Sequence, residues 1–104
     1  MKRIINGLRY DTEKAIEIGS HSHSYPRDFS WWEATLYRTP RSNRYFLAGE
    51  GGPMSRYSKR VDQNSWSGGE RLTPMAKAEA LEWAEQYLTE EEIERAFEGD
   101  IEDA

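Results

Sequence analysis

Residues 31–49, "WWEATLYRTPRSNRYFLAG", hold two β-prone runs on either side of a cluster of turn residues. Val, Ile, Thr and aromatic side chains suit a pleated surface, and Thr-Pro-Arg-Ser-Asn is the composition of a chain reversal. The stretch therefore predicts two antiparallel strands joined by "TPRSN". If Leu36 faces Phe46 and Ala34 faces Ala48, Trp32 shares their apolar side, and Trp31, Thr35, Tyr37, Tyr45 and Leu47 occupy the other. Both faces of such a sheet are partly apolar, so one of them is free to carry a binding surface.

Upstream, "RIINGLRY" sets Asn6-Gly7 between short apolar runs, the pairing that tolerates the two positive φ angles of a type I′ hairpin. "DTEKAIEIG" opens with the capping residues Asp11 and Thr12 and predicts one or two helical turns, with strand as the competing reading of its β-branched "IEI". "HSHSYPRDFS" reads as a surface loop, because Pro26 biases Tyr25 away from helix. Downstream, "LTPMAKAEALEWAEQYL" is the clearest helix. Thr73 is placed to cap it, Pro74 fits its first position, and Ala76, Ala80, Trp83, Ala84, Tyr87 and Leu88 form one stripe from about Pro74 to Leu88. "TEEEIERAFEG" restarts at Thr89 with Glu92 in capping-box spacing and stops at Gly99. Residues 99–104 read as a frayed acidic tail. The expected fold is α+β, a small antiparallel sheet packed against C-terminal helices in one domain spanning 1–104.

The 104 residues carry four Trp, six Tyr and three Phe, so a few large rings must supply much of the core of a small domain. Cysteine is absent, which excludes disulfides and thiolate metal sites. No apolar run approaches membrane length, and "MKRIING" is too short for a secretory signal, so a cytoplasmic setting is expected. Net charge is −5, unevenly spread: Met1–Ala76 holds 12 Lys and Arg against 8 acids, and Lys77–Ala104 holds 2 against 11.

Motifs for chemistry are sparse. "FLAGEGGPMSRYSKR" is unsuited to phosphate, since Pro53 lacks an N–H and Glu50 would repel the anion; its glycines are expected to permit positive φ at a strand corner. His21 and His23 form an H-x-H pair near Asp28, short of the three or four ligands a metal needs. Ser65 and Ser67 stand in no nucleophile elbow, and no spacing rule pairs Glu50 with Glu70 as acids. Neither an enzyme, a cofactor nor a metal is expected.

Two surfaces remain. Glu82, Glu85, Glu90, Glu91, Glu92, Glu94 and Glu98 would form an acidic helical face for a basic partner. Alternatively, the polar, irregular stretch from "GEGG" to "NSWSGGE", with Trp66 as its anchor and "SRYSKRV" as the candidate for a further strand, displays Arg56, Tyr57, Lys59, Arg60 and Trp66, which are interface-type residues. Arg38, Arg41 and Arg44 extend that basic aromatic character, which is also the mixture found in single-stranded nucleic-acid sites.

The segments "INGLRYDTEKA", "EATLYR", "YFLAGEGGPMSRY", "NSWSGGE" and "EALEWAEQYL" together resemble a family of short proteins carried by bacteria, phages and mobile elements. Small acidic proteins of that provenance resemble anti-CRISPR and other anti-defence inhibitors. The resemblance implies a non-enzymatic inhibitor whose protein partner is an effector complex such as a CRISPR-Cas effector, blocked at its nucleic-acid or partner site. It transfers no active-site residues. A homodimer is compatible with it, membrane attachment and direct nucleic-acid binding are not expected, and the alternative is a small nucleic-acid-binding or regulatory protein using the basic aromatic surface.

Overall fold

Four strands form the central sheet of the computed structural model, which describes residues 1–104. In chain order the elements are β1 (Lys2–Ile5), β2 (Leu8–Asp11), β3 (Ile16–His23), β4 (Trp32–Arg38), β5 (Tyr45–Gly51), β6 (Lys59–Asp62), β7 (Ser65–Ser67), β8 (Gly69–Met75), α1 (Lys77–Tyr87) and α2 (Glu90–Phe97), followed by a 3-10 turn at Glu98–Asp100. The central order is β3-β4-β5-β8, antiparallel throughout, and β1-β2 and β6-β7 are separate hairpins. This is the expected α+β class. No helix is long and apolar enough to cross a membrane.

Asn6 and Gly7 hold φ of 52° and 78° and close the β1–β2 hairpin as their dipeptide predicts. The β4–β5 hairpin forms too, but one residue out of the expected register: Leu36 pairs with Leu47 and Tyr37 with Phe46. The turn explains the shift. Thr39 N–H bonds to Arg44 O at 2.8 Å, and Asn43 takes a φ of 51° within the loop they enclose. A one-residue slip exchanges the faces of a whole strand. Thus Tyr45 and Leu47 join Trp32, Ala34 and Leu36 beneath the helices, and Phe46 turns to the other side.

Each face of the sheet then has its own core. On one, Ala80, Trp83 and Ala84 of α1 and Phe97 of α2 cover the β4–β5 residues, with Phe97 stacked on Tyr45 at 5.4 Å. On the other, Tyr10 of the N-terminal hairpin meets Phe46 edge-on at 5.4 Å and Leu72 completes the cluster. On the same face Glu33, Glu50 and Glu70 stay exposed.

Other boundaries move. Asp11 to Ala15 makes a single turn, and the β-branched run after it is strand β3, which also absorbs His21 and His23 from the expected loop. Thr73, Pro74 and Met75 belong to β8 rather than to the helix. Pro74, opposite Phe46, is tolerated because β8 is an edge strand. The helix starts after Ala76, whose N–H is taken by Glu79 Oε1 at 2.9 Å. Thr89 and Glu92 cap α2 reciprocally, as their spacing predicts. In the tail, Asp100 is held by Lys77 at 2.8 Å.

Candidate partner-binding surfaces

The end of the sheet where β3 and β5 finish and β4 and β8 begin gathers the loop 24–31, the loop 52–58 and the β6–β7 hairpin. Backbone bonds splice the two loops: Gly52 N–H donates to Trp31 O at 2.7 Å and Met54 N–H to Phe29 O at 2.8 Å. Asp28 stiffens the first loop by accepting from Ser24 Oγ, Ser30 N and Ser30 Oγ. These hydrogen bonds favour the carboxylate and hold its pKa down at about 2, with the Ser24 hydroxyl foremost. Five large hydrophobic side chains at this tip, Tyr25, Phe29, Met54, Val61 and Trp66, are between 55% and 72% exposed.

The loop residues predicted to meet a partner are sorted by this geometry. Tyr57 is buried in the helix-side core, and burial pushes its hydroxyl pKa up. It, and not the exposed Trp66, anchors the segment. Its ring lies where a Cβ on Gly49 would be, so Gly49 serves close approach and not positive φ; Gly51 and Gly52 lack positive φ as well. Arg56 folds back, its guanidinium 4.2 Å over the Trp32 ring and 3.4 Å from Tyr87 Oη. Arg60 bonds the carbonyls of Asp62 and Gln63 in its own turn. Lys59 and Trp66 remain exposed.

His21 and His23 lie on one face of β3, as an H-x-H pair in a strand must, and both meet Trp32, at 5.5 and 6.1 Å between ring centres. They pack against aromatic rings, and no set of three His, Cys, Asp or Glu side chains is arranged to hold a metal ion. The arginines do not form one surface. Arg41 and Arg44 lie at the β4–β5 turn and Arg56 follows the opposite end of β5, separated by seven strand residues, roughly 20 Å.

Of the predicted acidic set, Glu85, Glu90, Glu91, Glu94 and Glu98 come together around the C-terminal tail. Glu91, Glu94 and Glu98 line one depression with Asp103 and Arg95. Glu85, Glu90 and Glu94 rim a second, of about 320 Å³, where Leu81, Ile93 and Ile101 form the apolar part. Glu82 lines neither, and Glu92 is committed to the Thr89 cap, with Oε2 close to Gly19.

One arrangement was not legible in the sequence. Glu33 pairs directly with Glu50, and Glu50 directly with Glu70, so three exposed carboxylates form a row across β4, β5 and β8, lining a depression together with Met1 and Thr12. Only Glu70 has a cation, Arg3 at 3.2 Å. Strand register was needed to see it, since the three are 17 and 20 residues apart in the chain. No protein-family model, curated protein or solved structure matches this chain.

Proposed function

We propose that the protein is a non-enzymatic inhibitor of anti-defence type, acting inside a bacterial host by seating its acidic helical face on a cationic site of a larger effector complex. The supporting observation is the convergence of Glu85, Glu90, Glu91, Glu94 and Glu98 on one outer surface, where Arg95 stands alone because Lys77 is paired with Asp100. Carboxylates fixed on helices present negative charge at little entropic cost, as a phosphate backbone does, and compete for the same cations. Titration of the isolated target complex tests this reading. Inhibition is expected to be complete at one equivalent and constant with time; substoichiometric protein that eventually silences every target molecule would mean turnover instead.

A second reading uses the tip, and the exposed Tyr25, Phe29 and Trp66 favour it, since aromatic side chains are the usual anchors of protein interfaces. The nucleic-acid reading is weaker, because the arginines it needs are divided between the two ends of the sheet.

A further inference from the structure

The tip and the second acidic depression are complementary in two independent respects. The tip presents exposed apolar knobs, Trp66 and Val61 on the β6–β7 hairpin and Tyr25, Phe29 and Met54 on the spliced loops. Residues 24–31 and 52–68 carry Arg27, Arg56, Lys59 and Arg60 against Asp28 and Asp62, a net +2 on a chain of net −5. Both acids are engaged locally, Asp28 by Ser24 and Ser30 and Asp62 by the N–H of Asn64 at 2.9 Å. The depression reverses the pattern. Its apolar part is Leu81, Ile93 and the exposed Ile101, and its rim is Glu85, Glu90 and Glu94. Of the cations, Arg56 is stacked over Trp32 and Arg60 bonds the carbonyls of its own turn, so the exposed Arg27 and Lys59 are the ones that face outward to match the carboxylates of the hollow.

We infer that this protein self-associates head to tail, the β6–β7 tip of one copy, led by Trp66, docking in the Leu81–Ile93–Ile101 depression of another. Burying an exposed Trp against aliphatic side chains supplies the attraction, and the opposed charges orient the encounter. The two surfaces are different patches of one chain, so the contact is heterologous and each copy keeps a free tip and a free hollow for further copies. The depression shares Glu85, Glu90 and Glu94 with the proposed inhibitory face, so self-association holds that face covered and a tighter-binding target releases it. This inference rests on the depression itself; if it fails, target binding by the same carboxylates stands unaltered.

Sedimentation velocity on the full chain, from micromolar up to about 1 mM, the millimolar end of measurable affinity, tests it. The expected weight-average mass rises above 12.1 kDa with concentration and falls back when salt is raised. Trp66→Ser and the double variant Glu90→Lys/Glu94→Lys each restore the monomer mass. All three positions are exposed, so circular dichroism should confirm unchanged folding. An equimolar mixture of the two variants is expected to form a one-to-one dimer, because one retains the hollow and the other the tip. A wild-type chain that stays monomeric throughout, association that survives either variant, or a mixture that stays monomeric would each overturn the inference.

Discussion

The guanidinium of Arg56 lies 4.2 Å over the ring of Trp32, a buried strand residue at the base of the tip. This contact ties the loop after β5 to the helix-side core, because Arg56 also reaches Tyr87 Oη on α1. Such stacking is worth roughly 0.5 to 2 kcal/mol. Arg56→Ala is expected to lower unfolding free energy by about 1 kcal/mol in urea titrations, and Arg56→Lys, which loses the planar stack, to recover only part of it. An unchanged midpoint for Arg56→Ala would show that the arginine is not part of the packing.

The carboxylate row makes an opposite prediction. Glu50 faces Glu33 on one side and Glu70 on the other, and like charges directly across strands destabilise a sheet by roughly 0.2 to 1 kcal/mol per pair. Glu50→Gln should therefore stabilise the protein, more at low salt than at high salt because the three groups are open to solvent. Equal or lower stability of the variant at low salt would contradict the pairing.

Gly49 lies beneath the Tyr57 ring with no room for a methyl group. Gly49→Ala should force the buried ring aside and lower stability by about 1 to 3 kcal/mol. Near-ultraviolet circular dichroism should change with it. A variant as stable as the parent would place Tyr57 elsewhere.

Element identity was legible where the local pattern was unambiguous: Asn6-Gly7 for the first hairpin, Thr89 and Glu92 for the second helix, and the Ala80–Trp83–Ala84 stripe for the first. What failed depended on contacts between distant segments. The β4–β5 register follows from how Thr39–Arg44 closes, and a turn composition does not reveal its loop length. Pro74 suited a helix start, yet the edge position opposite Phe46 claimed it for β8. Tyr57 and Trp66 are alike in composition and nine residues apart, and only packing over Gly49 tells core from tip. The acidic cluster around Glu94 was visible as a helix face, but the apolar hollow it rims was not, because Ile101 comes from the tail.

Asp28 adds a pH dependence. Its pKa falls from 3.8 to about 2 on folding through the Ser24 and Ser30 bonds, so its contribution is full above 3.8 and is lost as pH drops through 2. The Tm advantage of the wild type over Asp28→Asn should accordingly shrink across that window. A constant difference would indicate that the serine bonds do not depend on the ionised carboxylate.

The most direct test of the account is capture of the effector target from host lysate on immobilised protein, comparing the wild type with Glu85→Lys/Glu91→Lys/Glu94→Lys and with Arg41→Glu/Arg44→Glu. All five positions are exposed, so folding should survive both sets of changes. The glutamate reversals are expected to abolish capture and the arginine reversals to leave it intact, with no binding of bare single-stranded or duplex nucleic acid by the wild type at ~0.15 M salt. Capture that persists after reversal of the three glutamates, or clear binding to bare nucleic acid, would contradict the proposed function.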